Sequence, residues 1–307
     1  MGGALQGFGV IAVLVAVGYG LGRWQLLGPA AEQPLARLVY YVATPCLLVQ
    51  LLAHRHLSDV FGAGFVVAAL SAVVVVACYL PVALRRWRQT RPELVVGALS
   101  ASYANAGYLG LPIGTFVLGN AAYAVPIMVF QLLVYAPLAI TVLGLDGGGR
   151  RPGPLAVLDA GLRNPVSVGA LTGVALSVWG GQLPALVEQP LGLFAGMAVP
   201  GALLAFGVSL SHPERTTRPA RQQIAFIAVA KLVLQPLAAY GIARAMGLPD
   251  EQVRAVCVMA ALPTAQNVFV YATRFGRGEP IARDAVAVTT VASAPVILLI
   301  AALLIPG

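Results

Sequence analysis

The chain has 307 residues, 59% of them hydrophobic and only 10% charged, with a formal net charge of +8. A water-soluble domain carries about 25% charged residues, so the composition excludes a soluble globular protein. It leaves room for one membrane domain and no large soluble one beside it. The basic surplus lies in short loops between apolar runs rather than on one soluble face, which argues against a nucleic-acid partner and for a role in membrane topology.

In chain order, ten stretches have the length of about 20 residues that crosses a hydrocarbon core: 4–22, 34–53, 60–84, 93–118, 121–145, 165–183, 190–210, 222–246, 252–274 and 284–306. No basic segment precedes the first, which is expected to be a membrane helix and not a cleaved signal peptide. The second carries Ala43-Thr44-Pro45-Cys46-Leu47-Leu48 and Gln50, and ends at His54, Arg55 and His56, expected to be a solvated loop. The fourth reads Tyr103-Ala104-Asn105-Ala106-Gly107-Tyr108-Leu109-Gly110-Leu111-Pro112, and the fifth holds Gln131 and Tyr135-Ala136-Pro137. The longest polar connection, 146–164, with Gly147, Gly148, Gly149, Arg150 and Arg151, is a flexible link rather than a domain. The seventh stretch contains Ala198-Val199-Pro200-Gly201-Ala202-Leu203-Leu204, the eighth Lys231, the ninth Leu262-Pro263-Thr264-Ala265-Gln266-Asn267, and the tenth Ser293-Ala294-Pro295. Cys46, Cys78 and Cys257 fall within apolar stretches without metal-ligand or redox spacing, and are expected to be small buried hydrophobes.

Charge tests the count. Fifteen of the nineteen basic residues fall in the loops after the first, third, fifth, seventh and ninth stretches; Arg55, Arg244 and Arg254 fall on the other side, and Lys231 lies within a span. Arginine-rich loops stay cytoplasmic, so both termini are expected to be extracytoplasmic, in a multi-pass protein of the cell (inner) membrane.

The single membrane domain, 1–307, thus divides into two five-helix halves, 1–145 and 165–307. An odd number of spans inserts the halves in opposite orientation. Their parallel proline positions, and above all the matched fourth and ninth stretches, predict an inverted repeat. Proline removes a backbone donor and clashes with the preceding turn, while freed backbone groups in hydrocarbon cost several kcal/mol unless protein or water satisfies them. Pro45, Gly110, Pro112, Pro200 and Pro263 are the expected helix breaks. Broken helices at matching positions of two halves point to a carrier's binding site.

These segments, with Lys231-Leu232-Val233-Leu234-Gln235-Pro236 and with Phe269 and Tyr271 after Asn267, resemble the auxin efflux carrier family, the bacterial relatives of the plant PIN carriers, over nearly the whole chain. The resemblance implies an all-α membrane protein of ten transmembrane helices in two inverted five-helix repeats. Discontinuous helices 4 and 9 would cross at mid-membrane, as in bile-acid symporter and sodium–proton antiporter folds. It also implies secondary transport of auxin-like carboxylates or dicarboxylates, often by a homodimer. The long central cytoplasmic loop of plant members is here cut to 146–164.

Within that frame the expected solute is a small organic anion. All eleven acidic residues lie in loops or at span ends, which argues against a carboxylate-based sodium or proton site; the coupling ion stays open between proton and sodium, and no cofactor or metal is expected. Asn105, Gln266 and Asn267 can donate and accept without charge beside half-helix N-termini that favour anions. Gly107, Tyr108, Pro112, Gln131, Pro263 and Thr264 complete the expected binding set. Lys231, about 15 Å into its helix, is a partner for the anion, a proton-coupled group or a structural lysine. There is no HExxH, no GxSxG and no aspartate-rich metal motif, so an enzyme is not expected. The alternatives are a receptor or sensor, a channel, or a carrier of an uncharged solute.

Overall fold

The computed structural model describes residues 2–28, 31–53, 61–144, 165–180, 183–211 and 221–304. The expected link 146–164 and the His54–His56 loop lie outside these described residues. Helix α1 covers Gly2–Arg23, α2 covers 32–52, α3 covers Ala63–Trp87 and α4 covers Arg91–Ser102. After a gap come α5 (106–116), α6 (121–144), α7 (Pro165–Trp179), α8 (Ala185–Gly196) and α9 (Ala198–Leu210). Helix α10 covers Arg221–Ala245, α11 covers Asp250–Ala260, α12 covers Gln266–Phe275 and α13 covers Glu279–Leu304. Among them α3, α6, the α8–α9 stretch, α10 and α13 are long and apolar enough to cross a membrane, and α1, α2 and α7 contain shorter apolar helices. The protein is an all-helical, multi-pass membrane protein. The described helices overlap the apolar stretches read from the sequence; the fourth and ninth are each interrupted by several non-helical residues and the seventh by one, Met197.

Prolines shape the helices in two ways. Four π-helical turns, Val39–Ala43, Ala106–Gly110, Gln131–Tyr135 and Ala230–Leu234, each end two residues before a proline: Pro45, Pro112, Pro137 and Pro236. A proline ring clashes with the carbonyl four residues earlier and leaves it without its donor. That carbonyl belongs in each case to the middle residue of the π turn, where the widened helix gives it room. At Pro45 the helix therefore continues through a wide turn into Thr44–Leu52. Pro200 instead stands in the first turn of α9, behind a one-residue interruption at Met197.

The helices associate in two modes. Helix α1 packs along α9, where Gly18 and Gly22 lie against Leu204, Val208 and Ser211, and Gly207 lies against Val15 and Tyr19. Helix α7 packs along α2, where Gly169 lies on Pro45 and Gly173 on Leu48, Val49 and Leu52. Hydrocarbon supplies no hydrophobic drive between helices, so backbones brought together by missing side chains give the dispersion contact that holds such pairs. The second mode gathers α3, α4, α6 and α10–α13 around buried side chains, including Tyr79, Leu99, Ile227 and Ala285 in one cluster and Val67, Ala239 and Cys257 in another. Of the three cysteines only Cys257 is buried; Cys46 is half-buried, and Cys78 is exposed on the outer face of α3 beside Val74, contrary to the sequence expectation. An evenly apolar helix does not reveal which of its faces meets lipid.

Candidate functional site

Helix α4 begins with a capping box, in which the Thr90 N–H donates to Glu93 Oε2 at 2.9 Å, and ends at Ser102. Helix α11 ends at Ala260. The chain then runs non-helically for a few residues in both places, and the two gaps meet as a short antiparallel bridge between Ala104 and Thr264. The Asn105 N–H donates to the Pro263 carbonyl at 2.8 Å, and the Ala265 N–H donates to the Tyr103 carbonyl at 3.0 Å. Each break thus satisfies backbone groups freed by the other.

Side chains satisfy more of them. Thr264 Oγ1 donates to the Ser100 carbonyl at 2.6 Å, while the Thr264 N–H donates to Thr289 Oγ1 at 3.0 Å. Lys231 Nζ donates to the Ala260 carbonyl at 2.7 Å, and Gln235 Nε2 donates to the Ser102 carbonyl at 2.9 Å. Tyr103 stacks on Tyr135, ring centroids 5.6 Å apart, and meets Tyr271 edge-on. Ser102 Oγ and the Tyr135 hydroxyl are hydrogen-bonded to each other.

Beyond the bridge the chain re-enters helix twice. Asn105 caps α5, its Oδ1 accepting the Tyr108 N–H at 3.3 Å, and α12 starts at Gln266. Both helix starts border one narrow, partly open cleft. Asn105, Gly107, Tyr108, Gln131 and Asn267 of the expected binding set line it, with Tyr40, Thr44, Tyr103 and Met128 among the others. Asn105 is 2% exposed, and its Nδ2 is buried without a hydrogen-bond partner. Among the described residues, no charged side chain lines this cleft. A larger open pocket lies among helix ends near Leu52, Asn120, Leu248 and Glu251, away from the bridge.

The remaining expected residues stand elsewhere. Pro263 and Thr264 form the bridge itself, and Pro112 is buried in the second turn of α5, after Gly110 in the π turn. Gln266 opens α12, half-buried, and Lys231 is wholly buried on the Ala260 carbonyl rather than at the cleft. Sequence reasoning did not single out Tyr103, Gln235 or Thr289 as functional. Gln235 stood within the Lys231–Pro236 motif and Tyr103 two residues before Asn105; Thr289, beside Thr290 in an apolar helix, gave no signal.

Residues 10–146 and 155–301 match the family described as "Membrane transport protein". The chain belongs to this family, that of the auxin efflux carriers. It is 28% identical, over 84% of its own length and 82% of the other's, to a protein of Rhizobium meliloti (strain 1021) named "Putative malonate transporter". It is 24% identical to "Uncharacterized transporter YfdV" of Escherichia coli (strain K12), over 86% of each chain. As a member of the auxin efflux carrier family it is a membrane transporter, not an enzyme.

Proposed function

We propose that the protein is a secondary active transporter that moves a small organic anion across the membrane by alternating access, with its solute bound where the α4–α5 and α11–α12 breaks cross. The carrying observation is the cleft: two helix starts border it, and the Asn105 amide donor is buried there without a partner. Partial positive charge at helix starts favours anions, and an unpaired buried donor costs about 1–3 kcal/mol until an acceptor arrives. A carboxylate supplies that acceptor. The name of the Rhizobium relative makes malonate, a short dicarboxylate, the first solute to try.

The reading extends to architecture: ten crossings, in two inverted five-helix repeats joined through 146–164. The swapped pairs support it, since the first helix of each half packs on the second helical span of the other, α1 on α9 and α7 on α2. On this reading the protein is a homodimer in the cell membrane, with its arginine-rich loops facing the cytoplasm and both termini outside.

The test is uptake and counterflow of monocarboxylates and dicarboxylates in proteoliposomes, with and without proton and sodium gradients. Saturable counterflow of one class is expected. A second reading, an uncharged solute, is favoured by the cleft lining, which among the described residues carries no charged side chain. Counterflow of neutral amides or sugars with none of any carboxylate would replace the first reading by the second.

A further inference from the structure

The Lys231–Pro236 motif contributes nothing to the cleft wall. Its two polar side chains are nevertheless among the most deeply buried in the molecule, Lys231 at 0% and Gln235 at 1% exposure. They stand four residues apart on α10, hence on one face. From that face one reaches the last carbonyl of α11 and the other the last carbonyl of α4. One unbroken helix therefore holds the carbonyl ends of both broken ones.

We propose that Lys231 and Gln235 are paired positioning residues that fasten both broken helices to α10, so that the crossing travels as one unit during transport. The inference rests on the carrier reading of the cleft. A helix leaves its last carbonyls without intrahelical donors, and in a water-free interior such orphans are costly. Helix α4 and α11 each end in the protein interior, and α10 supplies a donor to each. The Lys231 Nζ donor thus sits at the carbonyl end of α11, where the helix dipole is negative. In a low-dielectric surrounding both bonds are stronger than in water, so α10 cannot shift against either broken helix without separating a donor from its carbonyl. Pro236 fits this placement, since its ring accounts for the π turn Ala230–Leu234 that contains Lys231 and directly precedes Gln235. Lys231 acts through Ala260 and not by meeting the solute, whose cleft it does not line.

Two measurements test this on the full chain. Hydrogen–deuterium exchange in proteoliposomes reads the fastening without any solute. Lys231→Met is expected to speed exchange of the 257–265 amides about tenfold, the loss of one buried hydrogen bond. Gln235→Leu is expected to do the same at 99–106, while α1 and α9 exchange as in wild type. Counterflow of radiolabelled malonate reads the consequence: Lys231→Met lowers the maximal rate about tenfold with KM unchanged, and Lys231→Arg, which keeps a cationic donor, restores most of it. Unchanged exchange at 257–265 overturns the proposal, as does a raised KM at full maximal rate, which would make Lys231 a solute contact. If wild-type protein moves no malonate, that choice of solute fails, and exchange alone decides the fastening.

Discussion

The glycine-packed pairs, α1 with α9 and α7 with α2, and the crossing of the two broken helices solve the same problem with opposite means. The pairs contain few polar side chains at their contacts and hold by backbone proximity, with Gly18 on the Leu204 backbone and Gly169 on Pro45. The crossing holds by hydrogen bonds between groups that a continuous helix would have paired internally, at Asn105, Pro263, Thr264, Lys231 and Gln235. Close packing tolerates no added atom and needs no special chemistry. A hydrogen-bonded break tolerates changes of shape but not of donor. The first suits a rigid support and the second a place where helix ends must stay open to a solute.

Substitutions sharpen that contrast. The largest effect is expected at the glycine pairs: Gly18→Leu or Gly169→Leu forces two backbones apart and costs at least ~1–3 kcal/mol, seen as a lower melting temperature in detergent and a smaller monodisperse fraction. Next comes the crossing. Thr264→Val keeps the shape but strands the Ser100 carbonyl, now accepting at 2.6 Å, and costs about 1–3 kcal/mol; Thr264→Ser, which keeps the hydroxyl, is expected to cost less. The smallest effect belongs to the lipid-facing surface. Val73→Ala, at a position 61% exposed on α3, should stay within about 0.5 kcal/mol of wild type. A Val73 effect as large as that at Gly169 would mean that this outer face is packed against another chain.

Much of this architecture is legible in the amino-acid sequence. Apolar length marks the helical stretches, and Asn105 and Pro263, with Gln266 and Asn267 close behind, mark the two regions that interrupt α4–α5 and α11–α12, whereas Pro112 lies inside α5. Other features need three dimensions. The Gly18/Gly22 and Gly169/Gly173 spacings look like any small residues in an apolar run until the partner helix is known. The same holds for Lys231: depth along the helix can be counted from the sequence, but only the fold reveals that its Nζ meets the Ala260 carbonyl. A proline likewise does not announce whether it ends a helix or widens it. Pro263 lies in a gap, whereas Pro45 sits behind a π turn in a helix that continues, because only in the first case does a second chain segment stand ready to take the freed groups.

The measurement that bears most directly on the account is the saturation curve for malonate counterflow by Asn105→Ala and by the double variant Asn105→Ala with Asn267→Ala, in protein whose melting temperature matches wild type. The account predicts that KM rises roughly ten- to hundredfold for the single variant, since an amide bond to a carboxylate is worth about 1.5–3 kcal/mol, and rises further for the double. A wild-type KM and maximal rate in the folded double variant would contradict a solute site at the crossing.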